Sequence, residues 1–82
     1  MRTITVHTLP ACVQCNSTKR KLDSMKVDYQ TVDVSLPENA DALATMKGLG
    51  YQAAPVVLVT EDGKDDDHWY GFRPDKLEAL AA

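Results

Sequence analysis

The chain has 82 residues, 44% of them apolar, with 9 basic and 12 acidic side chains and a formal net charge of -3. That length suits one globular domain over residues 1–82 and excludes a repeat array or a multidomain machine. The net acidity argues against a general nucleic-acid binder, and two cysteines fall far below the roughly 8–10% of a disulfide scaffold, so packing must hold the fold.

Thr3 to His7 sets Ile4 and Val6 on one face among β-branched neighbours and reads as the first strand. Beyond Pro10, the residues Cys15, Thr18, Leu22 and Met25 recur at spacings of 3, 4 and 3, the stripe of one helix face. Tyr29 to Val34 reads as a second strand, and Ser35 to Pro37 as a turn. Glu38 to Lys47 is predicted helical, with Ala40, Leu43, Ala44 and Met46 as its apolar positions and Gly48 and Gly50 behind it. Val56 to Val59 is a continuous apolar run, as in a buried central strand. It leads through Glu61-Asp62-Gly63-Lys64 towards a hairpin partner at His68 to Tyr70. Pro74 opens a short last helix, with Leu77 and Leu80 three residues apart. Right-handed crossovers then predict an α/β sandwich, a four-stranded mixed sheet flanked by three helices.

No run approaches the roughly 18 apolar residues of a membrane span. Met1 to Val13 alternates polar and apolar residues and contains Pro10, unlike a secretory signal, so a soluble cytoplasmic protein in a reducing compartment is expected. Charge is uneven. Residues 1–26 hold five basic and one acidic side chain (+4), and residues 27–82 hold four against eleven (-7). Lys19-Arg20-Lys21 reads as a solvated helix face or as a dock for an acidic partner. Asp65-Asp66-Asp67 reads as a solvated hairpin tip.

Cys12-Val13-Gln14-Cys15 lies where the first strand hands over to the first helix. A cysteine there meets unpaired backbone N–H groups and the positive end of the helix dipole, which favour thiolate over thiol. Cys15, three residues on, lies on the same helical side, within the Cα separation of roughly 4.4–6.8 Å that a disulfide requires. This arrangement predicts Cys12 as the attacking thiol and Cys15 as the resolving one. Zinc lacks ligands, since His7 and His68 are distant in sequence, and haem attachment fails because residue 16 is Asn. A structural disulfide and a pair of inert buried thiols stay open beside the redox reading. Pro55, before the apolar run, has a bland role as a strand-start proline. A cis bond there would expose backbone of Ala54 to an extended substrate. Trp69 and Phe72 read as core packing, and Arg73 with Asp75 as a local ion pair.

Cys12-Val13-Gln14-Cys15 after Thr8-Leu9-Pro10, Ala54-Pro55-Val56-Val57 and Trp69-Tyr70-Gly71-Phe72-Arg73-Pro74-Asp75 together resemble the NrdH-redoxin family over nearly the whole chain. The resemblance implies a thioredoxin fold and a monomeric dithiol carrier without cofactor or metal. Such a carrier takes electrons from thioredoxin reductase and passes them to a class Ib ribonucleotide reductase. It implies that Cys12 and Cys15 are the redox pair, that Pro55 is a cis-proline, and that Val13, Gln14, Ala54, Pro55, Trp69, Phe72 and Arg73 serve partner binding. The chain departs from the family pattern at Leu9, where a basic residue is usual, and at His7, Tyr70 and Ala53. A glutathione-dependent glutaredoxin or a general protein disulfide reductase is the alternative, and Leu9 with Gly71-Phe72-Arg73 disfavours a glutathione grip.

Overall fold

β1 (Arg2–Thr8) buries Ile4 and Val6 through its alternation and, unlike an edge strand, is paired on both sides. The computed structural model describes residues 1–81. After β1 come α1 (Val13–Ser24), β2 (Gln30–Asp33), a single 3-10 turn (Pro37–Asn39) and α2 (Ala40–Gly48). The hairpin β3 (Val56–Glu61) and β4 (Asp67–Tyr70) follows, and α3 (Pro74–Ala79) ends the order. The sheet order is β2-β1-β3-β4, with β1 and β2 parallel and the other two pairs antiparallel. The expected mixed sheet with three helices is the architecture found.

The sheet carries apolar side chains on both faces. Ile4 and Val6 of β1, Val57 and Val59 of β3 and Trp69 of β4 form one cluster with Leu22 of α1 and Leu77 of α3. Val56 forms the other with Val34 and with Met46 of α2. Because β3 turns Val57 and Val59 to one covered face and Val56 to the other, Val56 to Val59 reads as an unbroken apolar run. On the α1 stripe Cys15, Thr18 and Leu22 are buried, while Met25 is the half-buried C-cap.

The starts of β2 and α2 and the phase of that helix differ from the sequence reading in ways that have a local cause. β2 begins at Gln30 rather than Tyr29, whose ring instead packs on the α1 side while its hydroxyl donates to Asp23 Oδ1 at 2.8 Å. Burial, reinforced by Asp23, pushes the Tyr29 phenol up to about 12. The predicted helix Glu38 to Lys47 is split. Pro37 opens the 3-10 turn, Asn39 Nδ2 donates to the Asp33 carbonyl at 2.9 Å, and α2 begins at Ala40. That start leaves Ala40 and Ala44 exposed and brings Ala42, Leu43 and Met46 to the sheet. The basic run on α1 is partly engaged, because Lys21 Nζ reaches Glu78 Oε1 of α3 at 3.0 Å.

Leu22→Ala and Leu77→Ala, each emptying a fully buried site, are expected to lower unfolding free energy in urea by about 2–5 kcal/mol. Glu78→Gln, which breaks an exposed pair, should cost less than about 1 kcal/mol. The stability from protonated Tyr29 is full below its usual 10.0 and is lost as pH rises towards about 12. Ultraviolet titration of the three tyrosines should therefore show one ionising late.

Candidate active site

The chain leaves β1 at Thr8 and turns through Pro10 and Ala11, whose φ of 57° is a left-handed conformation rarely held by a side-chain-bearing residue. That turn delivers Cys12 as the N-cap of α1, in extended geometry. Its sulfur does what a serine or aspartate oxygen does at other helix starts, since the Cys15 N–H donates to Cys12 Sγ at 3.1 Å. The first turn of α1 holds no acidic residue, so the helix N-terminus acts on the sulfur without an opposing charge. Cys12 and Cys15 are joined as a disulfide with their Cα atoms 5.2 Å apart. Cys12 is half-buried and Cys15 is 1% exposed. An incoming group can reach only the first sulfur easily.

A second wall comes from the other end of the chain. His7 is paired with Val56 across the sheet, so Pro55, one residue earlier, comes beside the turn that follows β1. The Ala54-Pro55 bond is cis and Pro55 is buried. The Gly71 N–H donates to the Pro55 carbonyl at 2.8 Å. Next to it, the Phe72 N–H donates to Gln14 Oε1 at 3.1 Å. Around this junction Leu9, Val13 and Tyr70 are exposed, Val13 at 76%.

The nine residues singled out from the sequence fall in four places. Cys12, Val13, Gln14 and Cys15 share the start of α1, and Ala54, Pro55 and Phe72 lie along the facing wall. Arg73 is exposed but already engaged, because Asp75 takes its Nε and Nη2 at 3.1 and 2.9 Å. This pairing holds the Asp75 carboxyl below the usual carboxylate range. Trp69, read as core packing from the sequence pattern and as partner-binding from the resemblance, lies in the core. Its register opposite Val57 turns the ring into the α1–α3 cluster, 4% exposed, with Lys76 Nζ 5.7 Å from the ring centre.

Two contributors escape a sequence reading. Buried His7 places Nδ1 3.1 Å from the Val56 carbonyl, and nothing in an alternating strand marks that contact. Gly71 has a φ of +86°, and a Cβ there would lie 3.2 Å from Gln14 Oε1. Its signal was a glycine between a strand and a helix, a place where left-handed backbone is common. The two histidines are apart, His68 Nδ1 lying 2.8 Å from the Tyr51 hydroxyl.

The glutaredoxin family model matches residues 4–64. Over 78 residues the chain is 38% identical to the glutaredoxin-like protein NrdH of Salmonella typhimurium, covering 94% of this chain and 86% of that one. The structure of the glutaredoxin-like NrdH-redoxin from Escherichia coli, described as having a thioredoxin-like activity profile, superposes with a TM-score of 0.70 at 34% identity. It covers 95% of this chain and 93% of its own. A thioredoxin-like protein, BC3987, superposes with a TM-score of 0.72 at 29% identity, covering 95% of this chain and 99% of its own.

After reduction with a small thiol, Cys12 is expected to react with iodoacetamide sooner and from a lower pH than Cys15. Faster alkylation of Cys15 would reverse the assigned exposures.

Proposed function

Because the chain belongs to the glutaredoxin family, we propose that it carries electrons from thioredoxin reductase to a class Ib ribonucleotide reductase. It is a glutaredoxin-like thiol–disulfide oxidoreductase of the NrdH type with a redox-active cysteine pair. The observation that carries the exchange mechanism is the unequal access of the two sulfurs, one at the rim and one beneath it. In the reducing direction the Cys12 thiolate attacks one sulfur of the target disulfide, forming a mixed disulfide and expelling a thiolate that takes up a proton. Cys15 then loses its proton and attacks Cys12 Sγ. That step closes the Cys12–Cys15 bond and releases the second target thiol. Two electrons and two protons pass to the target, and the reductase, fed by NADPH, returns them.

The choice of electron donor rests on what is already occupied. Arg73 is held by Asp75, the Phe72 N–H by Gln14 and the Gly71 N–H by Pro55, and position 9 is leucine. A small acidic thiol such as glutathione finds no free charge-assisted grip among these groups and would meet its ordering cost with few bonds. The exposed apolar rim of Leu9, Val13 and Tyr70 instead suits the broad face of a protein. An extended target strand can pair with the backbone of Ala54 beside Pro55. We read residues 1–82 as one unit acting as a monomer in the cytoplasm. Among the described residues no helix is long and apolar enough to cross a membrane.

Two measurements test the proposal. With NADPH and thioredoxin reductase the protein should support steady NADPH oxidation against a disulfide acceptor, and millimolar glutathione with its reductase should do so at most slowly. The reverse pattern would make it a glutathione-dependent glutaredoxin. Cys15→Ser should accumulate a mixed disulfide through Cys12 with oxidised ribonucleotide reductase, whereas Cys12→Ser should trap nothing.

A further inference from the structure

We propose that Gln14 is a positioning residue that sets the spacing between the Cys12 turn and the Ala54–Pro55 wall. Through that spacing it favours extended polypeptide disulfides over compact ones. The proposal rests on the redox reading of the cysteine pair and deepens it, and it moves Gln14 from partner contact to internal brace. Gln14 is an exposed residue of the first turn of α1, a place where a side chain is free to face water. Its Oε1 instead accepts the N–H of Phe72, 58 positions away in sequence. Its backbone carbonyl takes the hydroxyl of fully buried Thr18 at 2.9 Å, which seats the residue on the helix. Gly71, beside Phe72, sends its own N–H in the other direction, to the Pro55 carbonyl. Two successive N–H groups of one turn thus reach into the two walls of the site. Residue 71 carries no side chain where one would lie 3.2 Å from Gln14 Oε1.

An extended chain that pairs with Ala54 while presenting its disulfide to Cys12 must engage both walls at once. A compact disulfide needs only the Cys12 sulfur. Loss of the brace therefore weakens binding of the first substrate and spares the second. A glutamate at position 14 keeps an oxygen acceptor for the Phe72 N–H but adds a negative charge that opposes the Cys12 thiolate.

The experiment mixes pre-reduced protein with excess disulfide, follows Cys12–Cys15 oxidation by rapid acid quench, alkylation and mass spectrometry, and needs no reductase. A cystine-bridged peptide is compared with bis(2-hydroxyethyl) disulfide. For Gln14→Ala, the half-saturating peptide concentration should rise about fivefold, the weight of one exposed hydrogen bond, with the limiting rate held within about twofold. Its loss of rate with the compact disulfide should be at least about twofold smaller than its loss with the peptide at low concentration. Gln14→Glu should keep the parent half-saturation and slow both substrates by one common factor. An unchanged peptide half-saturation in Gln14→Ala, or an equal loss on both substrates, overturns the brace alone. A parent protein that oxidises with neither disulfide overturns the redox reading and the brace with it.

Discussion

The contact between the Cys15 amide and the Cys12 sulfur joins folding and chemistry in one atom pair. A helix start leaves N–H groups without partners, and most helices answer with an oxygen side chain. Here the answer is sulfur, held 3.1 Å from the Cys15 nitrogen. The atom that completes α1 is therefore also one sulfur of the redox-active pair. Whatever aligns α1 also aligns that sulfur, including the burial of Leu22 against the sheet and of Thr18 beneath the first turn.

That alignment needs a rigid base, and β3 supplies it. Lying between β1 and β4, β3 places Val57 and Val59 in the cluster under α1 and α3 and Val56 in the cluster under α2. Its first residue is paired with His7 on one side and Tyr70 on the other. Pro55, immediately before it, thus inherits its place from both neighbouring strands, and so does the wall that faces Cys12.

Features legible in the sequence are those written at short range. Cys12-x-x-Cys15 at a strand-to-helix junction, the alternation of Ile4 and Val6, and the apolar run after Pro55 each depend on spacings of a few residues, and the fold keeps all three. Features that escaped depend on which distant segments meet. The phase of α2 turned on a side chain reaching back to Asp33. The brace from Gln14 to Phe72 spans most of the chain. Periodicity cannot report such pairs, because either partner read alone is an ordinary polar or aromatic residue.

At the end of the sheet remote from the sulfurs, several loose ends are gathered. The Met1 ammonium lies 3.1 Å from Asp62 in the hairpin turn, and Arg2 Nη1 donates to the Leu80 carbonyl at 2.9 Å. β1 separates this pole from the Cys12 turn by seven residues, or about 20 Å at strand rise. That distance exceeds the Debye length of about 8 Å at physiological salt. The acidic hairpin tip is thus electrically remote from the thiols. Either end of the described chain can be tethered to an electrode or to a larger protein with the disulfide still facing outward.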